Sequence, residues 1–67
     1  MNEVNVWNDG TDNPFEFEMD DRELNEFCHF MLPQEVTDVF EHEQHGDTYF
    51  IIKGHVSMMS YRKKVGN

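Results

Sequence analysis

The chain has 67 residues, 14 acidic against 5 Lys and Arg, and a formal net charge of -9. That length allows one domain, near the lower limit for folding unaided, and the lone cysteine, Cys28, excludes an internal disulfide framework or a Cys-rich zinc ribbon. The longest apolar run, Tyr49 to Ile52, falls far short of the about 20 residues of a membrane span.

Met1-Asn2-Glu3-Val4-Asn5 has neither the positive charge nor the apolar run of a secretory signal, so a cytoplasmic protein is expected. The apolar share is 37 %, but it consists of large residues, including six Phe and five Met. Each aromatic ring can bury about 150–250 Å². A chain this aromatic is expected to form a small core despite its charge.

In chain order, Val4, Val6 and Trp7 predict a first strand by near period-2 spacing. Asn8-Asp9-Gly10-Thr11-Asp12-Asn13-Pro14 is a cluster of turn formers. Phe15-Glu16-Phe17-Glu18-Met19 alternates cleanly, predicting a second, antiparallel strand with Phe15, Phe17 and Met19 toward the core. Asp20 and Glu23 have capping-box spacing, and Met19 and Leu24 stand at the staple positions beside them. Leu24, Phe27, Cys28 and Met31 then mark one apolar stripe, so residues 21–31 are predicted helical, stopped by Pro33.

Residues 34–45 support two readings. Val36, Val39 and Phe40 fit helical spacing with Gly46 beyond them, but the β-branched Val36, Thr37 and Val39 favour a strand over 36–43. The strand is preferred, turning at His45-Gly46-Asp47 into residues 48–53. The unbroken apolar run of Tyr49 to Ile52 predicts a central strand buried on both faces. Residues 55–61 form the last strand, and the basic segment 62–67 is expected as a frayed tail beyond a domain spanning 1–61. The predicted class is α+β: a small single domain with an antiparallel sheet and one helix packed on one face, or two if 34–45 is helical.

Charge is polarised along the chain. Residues 1–47 hold every acidic side chain and only Arg22 against them, a net of -13, whereas 48–67 carry +4. Acids interspersed with apolar residues become an acidic surface on a folded body rather than a solvated brush. Such a surface repels nucleic acid and steers a basic protein toward it.

Other chemistry finds little support. His42 and His45 are three apart beside Glu41, Glu43 and Asp47; on a helix they would share a face and suit a divalent ion, but on a strand they would not. Two solvated histidines are expected, with no metal or other cofactor. Aligning Gly10 and Glu16 with a calcium loop puts Trp7 at a ligand position, so a plain turn is expected. Cys28 belongs to the apolar stripe and cannot pair with adjacent His29. With no phosphate loop, nucleophile elbow or HExxH motif, the chain is not expected to be an enzyme.

The expected function is that of a small acidic protein-binding protein. It would occupy the basic, nucleic-acid-binding surface of a larger protein and inhibit it, in effect imitating DNA charge. Glu16, Glu18, Asp20, Asp21, Glu23 and Glu26 are the expected partner-binding residues. In size and composition alone, the chain resembles the short inhibitors that phages and mobile elements direct against host proteins. The alternative is an adaptor or small subunit, or a homodimer, binding through an apolar face with Trp7, Phe30, Met58 or Met59 as anchors.

Overall fold

The computed structural model describes residues 1–64. Five strands and one helix follow in the order β1 (Asn2–Asn8), β2 (Phe15–Met19), α1 (Asp21–Phe30), β3 (Val39–Gln44), β4 (Asp47–Ile52) and β5 (Val56–Lys63). They make a small α+β domain with antiparallel sheets and one helix packed against them.

Strand β1 is central in a three-stranded sheet of order β2-β1-β5, its partners both antiparallel. The alternation at 15–19 sets the register: Val4 opposes Phe17 and Asn2 opposes Met19, so these side chains share one face with Val6. All five are buried, and only Phe15, at the strand's open end, departs from the expected core set by being exposed. Between β1 and β2, Gly10 takes a positive φ of 82°, and the Thr11 N–H donates to the Asn8 carbonyl at 3.2 Å.

Asp20 caps α1, its carboxylate accepting the Glu23 N–H at 2.7 Å. The helix buries Leu24, Phe27 and Phe30 against the sheet's inner face. Its end at Phe30 agrees with the stop signal of Pro33. Residues 34–38 enter neither helix nor strand. Instead the Lys53 ammonium donates to the carbonyls of Leu32 and Glu35, and the Lys53 N–H to that of Asp38, holding the segment as a loop.

Strands β3 and β4 form a hairpin that is a sheet of its own. Its two-residue loop, His45-Gly46, has φ of 52° and 81°, the double positive φ that a type I′ turn requires and whose twist suits a tight hairpin. The register that follows turns Phe40, His42, Tyr49 and Ile51 inward to the core cluster. The run at 49–52 is therefore not a strand buried on both faces. Phe50 is 63 % exposed and Ile52 44 %, because a two-stranded sheet has a core on one side only.

Strand β5 extends through Arg62 and Lys63, which the sequence assigned to a frayed tail, and the Lys64 N–H reaches the Met1 carbonyl at 3.2 Å. Pairing with β1 supplies the order that composition alone did not predict. The remainder of that segment, 65–67, lies outside the described residues.

Candidate protein-interaction surface

The acidic residues singled out by the sequence divide between two faces. Glu16 and Glu18 alternate out of phase with Phe17 and Met19, so they stand on the sheet face away from α1. Asp21, Glu23 and Glu26 ride on the helix, on the opposite side, and Asp20 sits at the junction as the cap. No single surface gathers all six.

Most of them also have structural partners. Lys64 lies 3.3 Å from Glu18, and Arg62 3.4 Å from neighbouring Glu3. Arg22 approaches Glu26 one turn along the helix at 3.6 Å. Asp21 accepts from the buried Asn2 amide at 2.9 Å and faces Lys63 at 3.8 Å. The Asn2 hydrogen bond, then the Lys63 charge, hold the Asp21 carboxyl below the ordinary Asp range. Glu16 has no cation among the described ion pairs.

Glu23 has the most demanding task. Its carboxylate lies 2.8 Å from Nδ1 of His42, a side chain only 1 % exposed. The other ring nitrogen, Nε2, is 2.9 Å from Oε1 of Gln44. The Gln44 amide is itself fixed: Oε1 accepts the Glu18 N–H at 2.8 Å and Nε2 donates to the Glu16 carbonyl at 3.1 Å. A side chain of the hairpin thus takes the place of a neighbouring strand along the open edge of β2. The Phe17 ring packs edge-on against both His42 and Tyr49, with centroids 5.2 Å apart in each case.

His42 is therefore not the solvated histidine that its acidic neighbours suggest, and His45 sits apart from it in the exposed turn. Among the described residues no group of three His, Cys, Asp or Glu side chains is placed to hold a metal ion. Of the expected apolar anchors, Phe30 is buried in the core. Trp7 and Met58 are register neighbours on the sheet face away from the helix, Met58 being exposed.

A different surface combines charge with exposed apolar area. The outer face of the β3–β4 hairpin carries Val39, Glu41 and Glu43 on one strand and Ile52, Phe50 and Thr48 on the other, opposed in that order. Val39 is 46 % exposed. Phe50 also lines a cleft of about 200 Å³ with Phe15, Tyr49 and Val6. The sequence carried a signal for this face: a two-residue His45-Gly46 loop puts Val39, Glu41 and Glu43 in phase with Phe50 and Ile52.

Counter-charge is distributed unevenly. Arg22, Arg62, Lys63 and Lys64 pair with Glu26, Glu3, Asp21 and Glu18, and Lys53 is bound by backbone carbonyls. Among the described residues, no ion pair involves Asp9, Asp12, Glu16, Asp20, Glu35, Asp38, Glu41, Glu43 or Asp47, and the last five are close together in sequence. No protein-family model, no curated protein and no solved structure matches the chain.

Proposed function

We propose that this chain is a small acidic binding protein that occupies a basic surface of a larger protein and, where that surface serves nucleic acid, inhibits it. The observation that carries the reading is the charge distribution. Arg22, Arg62, Lys63 and Lys64 are engaged with Glu26, Glu3, Asp21 and Glu18, which leaves Asp9, Asp12, Glu16 and Asp20 and the five carboxylates of residues 35–47 without a Lys or Arg partner among the described ion pairs. Uncompensated carboxylates steer a cationic surface into contact and are screened by salt.

The test is affinity capture from a lysate of the source cell under washes of increasing salt, followed by a nucleic-acid binding assay on what is captured. A basic protein released as salt rises, whose nucleic-acid binding the chain competes away, is the expected result. A partner retained at high salt and indifferent to nucleic acid would replace this reading with that of an adaptor. Exposure of Val39, Phe50 and Ile52 favours that second reading, since apolar anchors hold interfaces together independently of salt.

A further inference from the structure

Carboxylates without a Lys or Arg partner and exposed apolar area coincide on the hairpin, which carries three exposed large apolar side chains on one face. On the outer face of the hairpin, Val39 opposes Ile52 and Glu41 opposes Phe50, with Glu43 next along the same strand. A face kept acidic for solubility alone has no need of a phenyl ring and two branched side chains between its carboxylates. Phe50, Val39 and Ile52 belong to the chain's exposed large apolar residues, whereas the inner face of the same hairpin is packed.

We infer that this outer face is the docking surface, and that its occupant is a protein segment in which apolar side chains alternate with Lys or Arg. The inference rests on the reading of a basic partner and assigns it a place and a recognition chemistry. Apolar groups of the partner cover Phe50, Ile52 and Val39, while its cations meet Glu41 and Glu43 at the rim, where pairing fixes register. The cleft beside Phe50 has room for one further apolar side chain.

Charge selects this occupant over the others. A second copy placed on the same face would gather Glu41 and Glu43 of both copies into one interface to which the face brings no cation, and that concentration of like charge opposes it. The chain's own basic strand, β5, has Arg62 and Lys63 already committed to Glu3 and Asp21. An anionic lipid surface or a phosphate backbone meets the same repulsion. A basic, partly apolar protein segment meets none.

The experiment is a titration of the ¹⁵N-labelled full chain, followed by amide chemical shifts at low salt, with two synthetic peptides of equal length and charge. One alternates Lys with Leu; the other alternates Lys with Gly. The expected result is that the Lys-Leu peptide binds about tenfold or more tightly than the Lys-Gly peptide and shifts amides of residues 39–43 and 48–52. Phe50→Thr, a substitution at an exposed position of a β strand, is expected to remove that preference while Lys-Gly binding stays unchanged. The pair Glu41→Gln with Glu43→Gln is expected to weaken both. Shifts centred instead on Glu16, Glu18, Asp21 and Glu26, or equal affinity for the two peptides, would overturn the hairpin assignment and leave the basic-partner reading standing. Binding of neither peptide would overturn both.

Discussion

His42 joins three elements through a single ring. Glu23 from α1 and Gln44 from β3 take its two nitrogens, and Phe17 from β2 meets it in a T-shaped contact. Replacing it by Phe keeps an aromatic ring in the space and removes both polar contacts, leaving a partly buried Glu23 carboxylate without its partner. His42→Phe is therefore expected to cost about 1–3 kcal/mol in urea-induced unfolding, and His42→Ala more, because a cavity is added to the lost contacts.

Asn2 acts at the same scale through Asp21. Its buried amide donates to the Met19 carbonyl and to the Asp21 carboxylate, and the latter bond is the first cause of the lowered Asp21 titration. A carboxyl that titrates lower in the folded state than in the unfolded one stabilises the fold above its unfolded value. That contribution is lost as pH falls through the folded value. In Asn2→Ala the Asp21 carboxyl is expected to titrate closer to an ordinary Asp, and Lys63→Ala to give a smaller change in the same direction. Carboxyl carbon shifts followed across the acid range check both.

Among the elements, the edge of β2 depends on one side chain. Gln44 gives the Glu18 N–H an acceptor and the Glu16 carbonyl a donor, blunting an edge that would otherwise offer unpaired backbone groups. Gln44→Ala is expected to speed hydrogen exchange of the Glu18 amide by about tenfold, with the amides of β1 much less affected. Unchanged exchange at Glu18 would show that water serves that edge equally well.

The elements that could be read from sequence were those whose signals are local. The alternation at 15–19, the capping pair Asp20 and Glu23, and the stop at Pro33 each act within a few residues, and each stands in the structure where the pattern put it. Residues 34–38 were not legible because Lys53, distant in sequence, decides their conformation through main-chain carbonyls. The apolar run at 49–52 misled for a related reason: a continuous stretch does not say whether its second face meets a core or solvent. The acidic set singled out was real as surface charge, but Lys63 and Lys64 reach Asp21 and Glu18 only after folding, whereas the Arg22–Glu26 pair is local to the helix. Pairing thus leaves Glu41 and Glu43 of the hairpin, with Glu16 of the sheet, among the carboxylates that no Lys or Arg meets in the described ion pairs.

For the molecule as a whole, a formal charge of -9 with its Lys and Arg side chains already engaged means that unpaired carboxylates repel one another in the folded state. Raising ionic strength from about 0.01 to 0.15 M shortens the screening length from about 30 to 8 Å. The melting temperature is expected to rise over that interval. Glu41→Gln with Glu43→Gln is expected to raise it at low salt and to change it little at high salt. A melting temperature indifferent to salt would mean that the hairpin carboxylates are too far apart to interact.

Strand β1 lies between a partner that follows it closely in sequence, β2, and one drawn from the far end of the described chain, β5. The first ladder and the hairpin each close through a short connection, and closing them costs little chain entropy. The ladder that pairs Asn2 with Lys63 must wait for everything between to be gathered in. Its formation is expected to be the slow, late event of assembly, and pulse-labelled exchange during refolding, with β5 amides protected after those of β2 and the hairpin, checks it.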